Sequence, residues 1–322
     1  MPLIDRIKEA VPGVRLGAMA TAAAAPLLEY YPAVDKVIVS EISERGFGGW
    51  REATAAVRRE RFDAAVIVHP DMLDTLAVYF AGVKLRIGNG YRGYSLFYNR
   101  RVYLHRSPSA NHETEYNLRY LEPLGLPAPT EVPAPRLELT EAGRAKAGRL
   151  LASRGVAGAP YVVIHPGCGG SSLNWSPQRY RVLAAELSKA LGAAVVVTGS
   201  AAEADVASYV AGEATGRVSV AGETDLETLL GVLAGARLFV SSNTGPMHLA
   251  AAVGTPTLSL FSPLRSGSPT RWGPRGERAA VITPPGLACE KCPGEDCEYY
   301  NCMEAITVEA ALAEARRVVL LA

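Results

Sequence analysis

Phe239-Val240-Ser241-Ser242-Asn243-Thr244-Gly245-Pro246-Met247-His248-Leu249-Ala250-Ala251-Ala252 decides how this chain folds. Leu238, Phe239 and Val240 read as a buried strand, which passes through a tight polar turn directly into a helix. Asn243 and Thr244 are helix-capping residue types, and Gly245 lets a ligand approach the backbone. Pro246 costs nothing in a first helical turn, where its missing N–H would have no intrahelical partner. Such a turn aims unpaired N–H groups and the positive end of a helix dipole beyond the strand, an arrangement that holds phosphate. His248, one turn in, adds a hydrogen bond or a positive charge. An ordinary β–α turn with a packed histidine is the other reading.

Working outward, the C-terminal half alternates short apolar strands with helices. Strands are predicted at 161–165, 194–198, 218–221, 238–241 and 257–261, and helices at 177–191, 203–211, 226–234 and 247–253. That rhythm means a parallel sheet covered on both faces. The N-terminal half repeats it, with strands at 14–18, 36–39 and 64–68 and helices at 22–30, 50–60 and 73–81. A proline-rich connector from Leu126 to Pro135 reads as a stiff, extended linker. It divides an N-terminal domain, 1–135, from a C-terminal domain, 136–322. A last helix is predicted at about 308–321. The fold class is therefore α/β, with two Rossmann-like domains whose parallel sheets face across a cleft.

The chain has 322 residues, 48% of them hydrophobic, with 31 Gly and 22 Pro, enough apolar material for two cores. Its net charge of +1 points to no nucleic-acid partner. No apolar run approaches the roughly 20 residues of a membrane-spanning helix, and Met1-Pro2-Leu3-Ile4-Asp5 opens no signal peptide. A cytoplasmic protein without a transmembrane segment is expected. Four of the five cysteines fall together as Cys289-x2-Cys292-x4-Cys297-x4-Cys302. Four thiolates so close suit a structural Zn²⁺ or an iron–sulfur cluster. Reduced, unligated thiols are the alternative, and disulfides do not suit a reducing cytosol.

The run from Asn243 to Ala252, continued by Thr255-Pro256-Thr257-Leu258-Ser259-Leu260-Phe261, resembles glycosyltransferase family 9, the ADP-heptose:lipopolysaccharide heptosyltransferase group. The resemblance implies a GT-B architecture, in which the last helix, about 308–321, packs back on the first domain, and an inverting, metal-independent transfer of a sugar, a heptose. The donor is a nucleotide sugar of the ADP-heptose kind, and the acceptor a cell-surface glycan or lipid-linked core. The protein would work in the cytoplasm at the inner face of the membrane, touching the bilayer peripherally. Ile164-His165-Pro166-Gly167-Cys168-Gly169-Gly170-Ser171-Ser172 is similar to the family's His-Pro-Gly loop, so Gly167, Ser171 and Ser172 are implied donor contacts. Thr198-Gly199-Ser200 with Glu203 resembles a Gly-x-x-x-Glu segment near the nucleoside, although a glutamate is also expected at a helix start. Gly222-Glu223-Thr224-Asp225 walls the base, which adds Thr224. Asn243, Thr244, Gly245 and His248 would grip the diphosphate. Thr270-Arg271-Trp272-Gly273-Pro274 resembles an Arg-Trp-x-Pro loop capping the same pocket. Family members also carry a cysteine-rich segment ahead of a run like Cys302-Met303-Glu304-Ala305-Ile306.

Two departures weigh against activity. Leu173-Asn174-Trp175 has leucine where the family has a phosphate-binding lysine, a role Arg179 takes only if it folds back. The chain opens in what resembles the first helix, and the family's preceding strand and Gly-Asp loop, source of the general base, are not seen. His69 and Asp71, after the 64–68 strand, are substitute bases, with a helix cap as the other reading of Asp71. Arg86-Ile87-Gly88, followed by Tyr91-Arg92, resembles the family's Arg-Ile-Gly-Tyr turn; its basic side chains read either as meeting an anionic acceptor or as a solvated basic loop. The alternative function is a relative that binds nucleotide sugars but is catalytically impaired.

Overall fold

The computed structural model describes residues 1–69, 71–127, 129, 131–170, 172–276, 278–292, 296–298 and 301–320. The chain divides into two compact units: Met1–Ser107 with Asn111–Pro133, and Pro108–Ala110 with Ala134–Ala322.

Unit 1 runs α1 (Pro2–Ala10), β1 (Gly17–Thr21), α2 (Ala25–Glu29), β2 (Lys36–Ser40), α3 (Ile42–Arg45), α4 (Phe47–Glu60), β3 (Ala64–Val66), α5 (Met72–Phe80), β4 (Leu85–Asn89), β5 (Arg100–Val102) and α6 (Glu113–Leu118). Its strands pair in parallel as a two-stranded sheet, β1-β2, and a three-stranded sheet, β3-β4-β5. Ile38 of β2, Val57 of α4 and Val78 of α5 share one core with Val83, while Ile87, Val102, Tyr116 and Tyr120 build another. Arg86-Ile87-Gly88 lies inside β4, where the sequence suggested a basic turn. Ile87 is fully buried, and a Cβ on Gly88 would sit 2.3 Å from the Tyr98 ring. Arg86 is spent on structure, its Nε donating to the Phe97 carbonyl at 2.7 Å and its guanidinium lying over Tyr79.

Unit 2 contains α7 (Glu141–Ser153), β6 (Tyr161–His165), α8 (Pro177–Leu191), β7 (Ala194–Val197), α9 (Ala204–Ala211), β8 (Arg217–Ser219), α10 (Leu226–Ala234), β9 (Phe239–Ser242), α11 (Gly245–Ala252), β10 (Thr257–Leu260), α12 (Pro269–Trp272), β11 (Ala279–Ile282) and α13 (Val308–Leu320). Its six parallel strands follow the order β11-β10-β9-β6-β7-β8. The alternation of side chains along each strand feeds two cores. On one face Val162, Ile164, Val195 and Val197 meet Leu183 and Leu187 of α8. On the other, Val163, Val196 and Phe239 meet Val232 and Leu233 of α10 and Met247 of α11. Each fully buried aliphatic side chain is worth about 1.5–3 kcal/mol of transfer free energy before entropy is charged.

The last helix is anchored in unit 2. Val308, Ala311, Ala315 and Val318 of α13 form a helical stripe buried in the first of these two cores, so α13 packs on the sheet of its own unit. Among the described residues no helix is long and apolar enough to cross a membrane.

Candidate functional site

From β6 the chain of unit 2 moves through β7 to β8 on one side, then returns to lay β9, β10 and β11 on the other. The strand order therefore reverses between β6 and β9, which pair directly, His165 opposite Ser241. In open α/β sheets ligands collect beyond the carboxyl ends of the strands at such a reversal. The loops leaving β6 and β9 there are bonded to each other, Ser172 Oγ donating to the Asn243 carbonyl at 3.0 Å. Asn243 Nδ2 reaches the Gly267 carbonyl at 3.4 Å.

Thr244 is the N-cap of α11 and has extended backbone, but its side chain makes no capping hydrogen bond. The hydroxyl of a buried threonine thus leaves the first-turn amides without side-chain capping. Gly245 is exposed, and a Cβ placed on it would meet nothing within 4 Å. Pro246 occupies the first turn, and His248 follows there, half-buried. An exposed helix start with open space before it is suited to an anion.

His165 closes β6, buried, with Nδ1 3.0 Å from Thr198 Oγ1. Burial lowers its pKa against the pull of Glu203, so the ring is neutral at pH 7. Glu203 accepts from Ser200 N and Ser200 Oγ, both at 2.8 Å, in a capping box. Burial alone would raise this carboxyl; the Ser200 donors and His165 outweigh it and hold it below the usual range. One of its oxygens is thereby committed to the turn. The other lies against Gly167, where an added Cβ would fall 2.0 Å from Oε1. Gly167→Ala should therefore displace the Glu203 carboxylate and cost about 1–2 kcal/mol through the lost cap. Chemical denaturation of Gly167→Ala, Glu203→Ala and the double variant checks this. Non-additivity is expected, since the alanine at 203 makes room for the alanine at 167.

Thr224 is half-buried between two committed carboxylates. Glu223 pairs with Arg154, and Asp225 caps α10 by accepting from Thr228 N at 2.7 Å. The Thr228 donors, with Lys146, bring the Asp225 carboxyl down to about 2. Ser171 lies outside the described residues. Leu173 packs at the edge of a core, and Trp175 is buried with its Nε1 donating to the Ile306 carbonyl at 3.0 Å. Arg179 does not fold back toward the loop: its Nε pairs with Glu304 Oε2 at 2.6 Å.

The remaining candidates are His69 and Asp71 of unit 1 and the cysteines of unit 2. Asp71 caps α5, its Oδ1 accepting from Leu73 N at 2.8 Å and Asp74 N at 3.3 Å, while His69 is exposed. The cap reading of Asp71 is what the geometry bears out. Cys289 pairs through its backbone with Leu264. The Cys302 thiol is pushed up by burial and by the neighbouring Cys289, Cys292 and Cys297. Yet among the described residues no three His, Cys, Asp or Glu side chains are arranged to hold a metal, and the four-thiolate site is not assembled. The sequence reading quoted Thr198 but missed the bond of its hydroxyl to His165, and it missed the turn at Gly267. A polar residue ending the run Val195-Val196-Val197 was a signal for the first; nothing local marked the second.

Comparison with known proteins agrees with this geometry. Residues 50–302 match the model of glycosyltransferase family 9 (heptosyltransferase). The Escherichia coli lipopolysaccharide heptosyltransferase 2 is 25% identical over 84% of this chain and 80% of its own. In structure, E. coli ADP-heptose lipopolysaccharide heptosyltransferase II superposes with a TM-score of 0.80 at 24% identity, covering 99% of this chain and 94% of its own. An E. coli heptosyltransferase solved with ADP gives 0.75 at 18% identity, covering 98% and 94%. The fold is thus of the GT-B type, and with a family match spanning most of its length the chain belongs to glycosyltransferase family 9, a family of transferases.

Proposed function

We propose that this glycosyltransferase moves a heptose from an ADP-heptose-like donor to a glycan or lipid-linked acceptor of the lipopolysaccharide-core type. The observation that carries the proposal is the bonded pair of loops at the strand reversal of unit 2, beside the start of α11. The named activities of the relatives, and the ADP held by one structural neighbour, support the same reading. Backbone amides at Gly245, the Thr244 hydroxyl and His248 stabilise the diphosphate leaving group. Gly167 and the serines of its loop approach from β6, and Glu203 and Thr224 stand toward the nucleoside. These dipoles oppose charge that develops as the glycosidic bond to phosphate breaks. The acceptor hydroxyl gives up its proton as it attacks the anomeric carbon from the opposite face, inverting it. No metal takes part, and the reaction runs on the cytoplasmic side of the membrane.

A second reading, a relative that binds donor without transferring, is favoured by two observations. Leu173 is packed where the family's lysine stands, and the Asp71 carboxylate is engaged as a cap. Titration of ADP-, GDP- and UDP-sugars, followed by transfer assays with lipopolysaccharide-core acceptors with and without EDTA, separates the two. Binding of an ADP-sugar with EDTA-insensitive transfer is expected. Binding without transfer establishes the second reading, and no binding at all removes both.

A further inference from the structure

Tyr180 carries a hydroxyl where the packing asks only for an aromatic ring. It stands near the start of α8, fully buried, in the core it shares with Ile164, Leu183, Val240 and Leu260. Its ring meets Trp175 edge-on at 5.4 Å. A phenyl group would fill the same space, and a hydroxyl taken out of water is unfavourable unless it is paired. Burial pushes the phenol's pKa far above its ordinary value, so the group stays protonated and donates. Its partners show what the hydroxyl does.

The roots of two loops converge on it. Tyr180 Oη donates to Asn174 Oδ1 at 3.1 Å, and the same oxygen accepts from Trp175 N at 2.9 Å. With its oxygen so engaged, the Asn174 carboxamide turns Nδ2 to the carbonyl of Pro166, the residue that follows β6. Pro166 is buried, and a buried carbonyl needs a partner. Beyond it Gly169 and Gly170 both take positive φ, +54° and +74°. Glycines resist bending little, so this loop must be held at its root. On the other side stands Ser242, the last residue of β9, itself fully buried. Its hydroxyl closes no hydrogen bond of good geometry among the described residues, yet it lies near enough to the phenol to oppose the effect of burial on it. Ser242 leads directly into Asn243 and Thr244.

We propose that Tyr180 is a positioning residue for donor binding, its hydroxyl fixing the loop after β6 against the end of β9 through Asn174. No ligand touches it, since the whole side chain is buried. A loop already held in place loses less conformational freedom when a ligand arrives, so the hydroxyl acts on affinity. The two loops it braces from within are those joined by the half-buried Ser172 and Asn243. The inference rests on reading these loops as the donor site, and it adds to them a side chain from inside the core.

Hydrogen–deuterium exchange, read by mass spectrometry on the free protein, tests the brace without a ligand; titration with ADP tests its consequence. Tyr180→Phe is expected to speed exchange at Gly167, Cys168, Gly169 and Gly170 about fivefold, the worth of one hydrogen bond. ADP binding should weaken by a similar factor. In an Asn174→Ala background the same substitution should change neither quantity further, because the route through Asn174 is already cut. Leu187→Val, two turns along α8 in the same core, lowers the urea midpoint of unfolding as a buried truncation does. It should leave loop exchange and ADP affinity at the parent values; if Tyr180→Phe did the same, its part would be structural and the proposal overturned. Additive effects in the Asn174→Ala background overturn it as well. A parent that binds no ADP removes the donor reading and this inference together. ADP binding by the parent, with unchanged loop exchange in Tyr180→Phe, removes this inference alone.

Discussion

Trp175→Ala is expected to unfold with about 3–5 kcal/mol less stability than the parent, the range for truncating a buried aromatic side chain. The indole is 2% exposed and meets Tyr180 edge-to-face at 5.4 Å. Its Nε1 also joins the start of α8 to Ile306, which follows the cysteine segment in sequence. Trp175→Phe should cost less, about 1–2 kcal/mol, because Arg179 still donates to the Ile306 carbonyl at 3.2 Å and satisfies it. The loss extends to ligand binding. Asn174 accepts from Trp175 N at 2.9 Å and from Tyr180 Oη at 3.1 Å, and it donates to the Pro166 carbonyl of the loop after β6. A displaced Trp175 therefore loosens that loop and lowers donor affinity. Urea unfolding and donor titration on the same variants check both parts; a loss below about 1 kcal/mol would contradict the packing described.

Thr244→Ala and His248→Ala should each weaken nucleotide-sugar binding by about 1–3 kcal/mol, the worth of a hydrogen bond to a charged group. Thr244 is an unusually clean probe. Substituting an N-cap threonine ordinarily costs about 0.5–2 kcal/mol of stability, but this hydroxyl makes no capping bond. Its removal should leave stability within about 0.5 kcal/mol of the parent, so a fall in affinity reports on the ligand. Calorimetric titration with an ADP-sugar, paired with denaturation, separates the two quantities. Parent-like affinity in both variants would remove the start of α11 from the binding site.

Much of unit 2 was legible because apolar runs of four or five residues bounded by Gly, Pro and polar turns admit few alternatives. The strand ending at His165 and the helices 177–191 and 226–234 lie where their patterns placed them. In unit 1 the signal was weaker. Arg86 and Gly88 masked β4, since neither is a strand-forming residue and the pairing with β3 and β5 was decided by distant partners. The same holds for Glu203: a carboxylate at a helix start reads alike whatever it meets, and only the structure shows that one of its oxygens accepts from Ser200.

The sequence by itself determined the parallel α/β character of the protein, the polar turn leading into α11 and its family, because these rest on local periodicity and contiguous motifs. Tertiary structure alone decided which loops meet at the strand reversal and that α13 covers the sheet of its own unit. It alone showed that Arg179 and Asp71 are committed to structure, and that aromatic rings from α4 and α5 share one exposed face. The physical reason is the same in each case. Hydrogen-bond partners and burial come from residues far away in the chain, and no local pattern encodes them.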